Sequence, residues 1–107
     1  MNRRVNQSPT EQLETIAARL AELGHPTRLA ILRHLVKAGV KGAAVGEIQK
    51  ELDIPGSTLS HHIAKMVKVK LIKQVRNSRT LFCIPQFESL VEVVDFLQEE
   101  CCGDGCC

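Results

Sequence analysis

After Val69 the apolar positions of this chain stop recurring every three to four residues and begin to alternate, and after Pro85 the helical repeat returns. Few folds accommodate one short alternating island inside a helical chain of 107 residues, which is the length of a single domain. Leu71-Ile72-Lys73-Gln74-Val75-Arg76 and Arg79-Thr80-Leu81-Phe82-Cys83-Ile84 read as two strands. Asn77-Ser78 is the expected tight turn, because Asn tolerates positive φ. Arg76 and Arg79 then flank the tip of a hairpin.

Four helices are expected before the island. Ser8 caps the first, Pro9 takes its first position and Glu11 closes a capping box. Leu13, Ile16, Ala17, Leu20 and Leu23 follow at helical spacing, and Gly24 ends the helix. Pro26 opens the second helix, with Leu29, Ala30, Leu32, Leu35 and Val36 expected inside and His25 as its N-cap. Residues 39–42 form a connector. Val45 to Leu52 is a short third helix with Ile48 and Leu52 inward. Asp53-Ile54-Pro55-Gly56 is a turn, after which Ser57 can cap the fourth helix.

That fourth helix, from Gly56 to Val69, divides into two faces. Leu59, Ile63, Met66 and Val67 lie on one side; Ser57, Thr58, His61, Lys65 and Lys68 lie on the other, with Ser60 and His62 at the edges. An ordinary amphipathic surface helix has the same pattern. Two helices joined by a short turn containing Gly, the second rich in donors, also make a helix-turn-helix whose second helix reads a major groove. The hairpin behind it is then a wing, with Arg76 and Arg79 placed to reach the phosphate backbone or a narrow minor groove. Charge supports this: residues 54–87 carry six Lys or Arg and no acid, whereas residues 88–107 carry six Asp or Glu and no Lys or Arg. The acidic end must face away from a nucleic acid. Three Phe with no Trp or Tyr argue against stacking platforms for single strands.

The last helix is expected over residues 86–101. Phe87, Leu90, Val91, Val93, Val94, Phe96 and Leu97 cover roughly 220° of its circumference, more than the ~100° stripe of a helix packed on one side. It needs a second apolar neighbour, either its own core or another subunit. A homodimer with dimerisation helices at 9–23 and 86–101 also suits symmetric half-sites about 34–36 Å apart. No secretory signal is visible, and no apolar run approaches the ~20 residues of a membrane span. A cytoplasmic protein without a membrane partner is therefore expected.

Four of the five cysteines fall within the last seven residues, Cys101, Cys102, Cys106 and Cys107. In a reducing compartment this points to metal or thiol chemistry rather than a disulfide framework. Gly103 and Gly105 let the backbone return, so that the two pairs can meet in an all-sulfur site. Thiolates select zinc, cadmium or copper(I), and trivalent arsenic or antimony. Spacing alone does not choose between arsenic on three sulfurs and zinc on four. Glu99, Glu100 and Asp104 are expected to raise the thiol pKa values by like-charge repulsion, which disfavours a catalytic thiolate. Cys83, alone among apolar strand residues, reads as packing, and His34 as structural.

The run His25-Pro26-Thr27-Arg28-Leu29-Ala30-Ile31-Leu32, together with Val45-Gly46-Glu47-Ile48 and Ser60-His61-His62-Ile63, resembles the ArsR/SmtB family of metal-responsive repressors over nearly the whole chain. The resemblance implies a mainly α winged helix-turn-helix (α-α-α-α-β-β-α), homodimeric and spanning residues 1–107, that releases its operator DNA when a metal or metalloid binds. Carried over by position, Ser57, Thr58, Ser60, His61 and His62 are recognition-helix contacts and Arg76 and Arg79 wing contacts; Lys65 and Lys68 join them from the donor face. The Cys-x-Cys sensor that many arsenic repressors carry in the third helix is missing, since Ala43 to Ile48 contains no thiol, and no His follows His62 to complete a zinc site on the last helix. The tail 101–107 looks like the terminal cysteine site of other arsenic repressors. The expected inducer is As(III), held by Cys101, Cys102 and one of Cys106 or Cys107. Sb(III), Zn(II), Cd(II) or a redox signal are alternatives within the same fold. A thiol enzyme such as an arsenate reductase needs an activated cysteine and an oxyanion loop, and neither is visible, so an enzyme is not expected.

Overall fold

In the computed structural model, which describes residues 8–100, a helical frame encloses a small sheet in the order α1 (Pro9–Leu23), α2 (Pro26–Ala38), β1 (Ala43–Ala44), α3 (Val45–Leu52), α4 (Gly56–Lys68), β2 (Ile72–Asn77), β3 (Thr80–Pro85) and α5 (Phe87–Gln98). The helix starts obey local chemistry. The Glu11 amide donates to Ser8 Oγ at 3.1 Å and the Ser8 amide to Glu11 Oε1 at 3.0 Å, a complete capping box. At the head of α2, His25 Nδ1 accepts from the Thr27 amide at 3.1 Å, and Pro26 needs no partner for an amide it lacks.

The hairpin pairs Ile72 with Pro85 through to Asn77 with Thr80. Its loop is Ser78-Arg79, and Ser78 rather than Asn77 takes the positive φ, at 62°. A third strand was not expected. Ala43 and Ala44 pair antiparallel with Cys83 and Phe82, giving the sheet order β1-β3-β2. Two residues have no period to read, so this strand exists only because β3 is there to pair with. It approaches β3 at Gly42, whose φ is 70°; a Cβ built there would overlap the Cys83 carbonyl.

The core lies where α2, α3 and α4 meet the sheet: Ile31, Leu35, Ile48, Leu59, Met66, Leu71, Ile72 and Cys83 are all fully buried. Cys83 is thus a packing residue, and burial pushes its thiol pKa up. Two helices bury a different stripe from the expected one. In α2, Ile31 joins Leu32 and Leu35 inside, while Leu29 and Val36 stay exposed beside an open groove of about 770 Å³ that Leu23, Leu52 and Leu90 also line. In α1 only Ile16 and Arg19 are buried; Leu13 and Leu20 face out. The reason is geometric: the core of this chain covers only one side of each helix. The last helix ends at Gln98, short of the expected residue 101, and leaves Val91, Val94 and Leu97 exposed.

Candidate nucleic-acid interface

Helix α4 is set by its two ends. Its N-cap is Pro55, not Ser57, and the Pro55 carbonyl accepts from the Leu59 amide at 2.9 Å. Gly56 occupies the first turn, so Ser57 is already helical and its hydroxyl is left facing solvent. At the other end the Leu71 amide donates to Met66 O and the Lys70 amide to Val67 O, both at 3.0 Å, with Lys70 at φ 70°. This is a Schellman closure made without glycine. It turns the chain directly into β2 and so fixes the wing against the helix.

Between these ends Leu59, His62, Ile63 and Met66 point inward. Ser57, Thr58, Ser60, His61, Lys65 and Lys68 are exposed, as are Arg76 on β2 and Arg79 in the wing loop. The structure therefore brings eight of the nine residues expected to meet DNA onto the surface. Lys70 and Lys73, also exposed, extend the basic surface from α4 into the wing. Sequence reasoning passed over them, although both belong to the acid-free block.

His62 is the exception. It is 7% exposed and turned toward α2, which removes it from the outward set. Its Nδ1 lies 3.0 Å from Arg28 Nη1, and its ring centroid is 4.8 Å from that of His25. Arg28 has donors only, so His62 Nδ1 must accept, which places the ring proton on Nε2 and keeps the ring neutral. Arg28 is itself anchored by the Glu22 carbonyl at 2.7 Å and the Glu22 carboxylate at 3.3 Å. The recognition helix is thereby latched to the α1–α2 corner. Sequence reasoning missed Arg28 because its partner is thirty-four positions away.

Burial lowers the His62 pKa from the ordinary 6.5, and the neighbouring His25, Arg28, His61 and Lys65 lower it further. The unfolded ring takes up its proton near 6.5 and the folded ring only at lower pH. The stability contributed by this contact is therefore complete above 6.5 and falls as pH drops through the window beneath it. Thermal unfolding followed from pH 8 to pH 5 should show this acid slope, and His62→Gln should flatten it. An unchanged slope in the variant would assign the pH dependence elsewhere.

The four tail cysteines, Cys101, Cys102, Cys106 and Cys107, lie outside the described residues. Among the described residues no three His, Cys, Asp or Glu side chains gather as a metal site, and no helix is long and apolar enough to cross a membrane.

Comparison with known proteins places this geometry. A profile described as a helix-turn-helix domain matches residues 23–75, which contain α2 through the first part of β2. The transcriptional repressor PagR of Bacillus anthracis is 32% identical over 89 residues, covering 80% of this chain and 87% of PagR. The nodulation protein NolR of Rhizobium meliloti is 27% identical over 89 residues, covering 83% of this chain and 70% of NolR. Among solved structures, an ArsR family transcriptional regulator superposes with a TM-score of 0.66 at 29% identity, covering 86% of this chain and 89% of its own. NolR from Sinorhizobium fredii gives 0.65 at 29% identity over 86% and 91%. With the helix-turn-helix, the wing and these relatives in agreement, the chain belongs to the ArsR-type family of winged helix-turn-helix transcriptional regulators.

Proposed function

We propose that this protein is a homodimeric repressor that grips a double-stranded operator through α4 and the wing and leaves it when trivalent arsenic joins the tail thiols. The observation that carries the DNA half is the two-sided α4. Its apolar side is sealed in the core, while Ser57, Thr58, Ser60, His61, Lys65 and Lys68 stand free to meet base edges and phosphates, with Arg76 and Arg79 beside them. The dimer half is supported by Leu13 and Leu20 on α1 and Val91, Val94 and Leu97 on α5, a set of large apolar side chains exposed on two helices that pack together.

The inducer half rests on the sequence. Cys101, Cys102 and Cys106 or Cys107 follow directly from α5, one of the two helices assigned to the dimer. Arsenous acid is neutral; each arsenic–sulfur bond formed releases one hydroxyl, which leaves as water with the thiol proton. Three such bonds close a pyramidal site. To swing operator occupancy from 99:1 to 1:99, arsenic must favour the released state by about 5.5 kcal/mol.

The test is a gel shift with reduced protein on an operator selected from random duplex DNA. Arsenite should release the wild-type complex, and Cys101→Ser/Cys102→Ser should hold its operator at the same arsenite concentration. Release of that variant at the wild-type arsenite concentration would remove the tail from the mechanism, and release by zinc or cadmium alone would change the inducer.

A further inference from the structure

Arg19 is a charged residue placed where the fold has no evident need for charge. It sits on α1, 6% exposed, in the row that Ile16 begins. Three acceptors from two other parts of the chain surround its guanidinium. Nε donates to the carbonyl of Val69 at 2.9 Å; Nη1 donates to the carbonyl of Ser89 at 3.4 Å and to Glu92 Oε1 at 2.8 Å. Val69 is the C-cap of α4, and Ser89 and Glu92 belong to α5. One side chain therefore joins the end of the DNA-facing helix to the two helices that carry the exposed apolar set.

We propose that Arg19 is a positioning residue: it fixes the C-terminal end of α4 against the α1–α5 pair, so that the spacing and tilt of the two recognition helices in a dimer follow the dimer core. This rests on the repressor reading above. Stability alone does not account for the arrangement, because a buried ion pair is often matched or bettered by apolar side chains of similar volume. A planar fork holding separate acceptors does fix an angle. The Val69 carbonyl is also one of the unpaired carbonyls at a helix C-terminus, where the helix dipole favours a cation. The Schellman closure uses the carbonyls of Met66 and Val67, leaving that of Val69 to Arg19. Any displacement of α5 relative to α1 must then either break a contact to Arg19 or be passed to α4.

Two variants test this. Arg19→Lys keeps the charge, but its single nitrogen cannot replace the separate Nε and Nη1 contacts. Arg19→Met/Glu92→Met removes both members of the ion pair together, so neither is left as an unpaired buried charge, and it should fold even if the lysine variant does not. Operator is selected from random duplex DNA with the wild-type protein. Affinity is then measured on that operator and on versions with the half-sites moved one base pair closer or farther, alongside thermal unfolding and native mass. Wild type should discriminate between the spacings. Both variants should remain folded dimers, bind the selected spacing roughly tenfold more weakly, and lose most of the discrimination. Wild-type affinity and wild-type spacing preference in the double variant would overturn the proposal. So would an affinity loss that merely tracks the unfolded fraction, which would make Arg19 a stability residue. If the wild type selects no DNA at all, the repressor reading falls and this inference falls with it.

Discussion

Gly42→Ala is expected to destabilise the fold by about 3 kcal/mol or more, a large part of the roughly 5–15 kcal/mol that holds a domain together. Two costs combine. The residue sits at φ 70°, where a side chain is strained, and its Cβ would overlap the Cys83 carbonyl and crowd Ile84 Cγ1. Neither neighbour can yield cheaply. Cys83 is fully buried in the central strand and pairs with Ala43 on one side and Gln74 on the other. Chemical denaturation should show the midpoint falling steeply. Gly39→Ala is the control: its φ of 90° and ψ of −160° are a conformation that side chains rarely adopt, but open space surrounds the added carbon, so only the backbone strain of about 1–3 kcal/mol is incurred. Equal losses in the two variants would mean that the approach of Gly42 to β3 is not what matters.

The second large effect concerns DNA. Replacing Lys65, Lys68, Arg76 and Arg79 together with alanine should weaken operator binding by orders of magnitude at physiological salt. It should also lower the slope of log affinity against log salt by up to about 7, near 0.9 for each of the roughly eight phosphate contacts that the two subunits of a dimer would lose. All four side chains are exposed and none lies in the core, so the unfolding midpoint should stay close to that of the wild type. Fluorescence anisotropy titrations at several salt concentrations measure both quantities. A slope unchanged within error would show that these cations do not meet phosphates and would move the interface off the wing and the outer face of α4.

The two predictions draw on different layers of information. The outer face of α4 was legible from residue spacing, because a helix with period 3.6 sorts donors from apolar groups wherever it lies. The capping box, the Pro and Gly punctuation and the two wing strands were legible for the same reason: each is decided by residues a few positions apart. Ser57 as a cap was misplaced by two residues, since Pro55 can end the turn with its carbonyl alone. His62 was misassigned because it sits at the edge of the helical wheel, where only the neighbouring helix decides which way a side chain turns.

Sequence by itself determined the order of the five helices and the two wing strands, the winged helix-turn-helix and the basic surface, because these follow from local periodicity and from charge, which needs no partner to be counted. Tertiary structure alone decided the β1 strand, the inward turn of His62 onto Arg28 and the joining of Val69 to Glu92 by Arg19. Each of these depends on groups distant in sequence meeting at hydrogen-bond range, and a contact across fifty or seventy residues leaves no period in the chain that makes it.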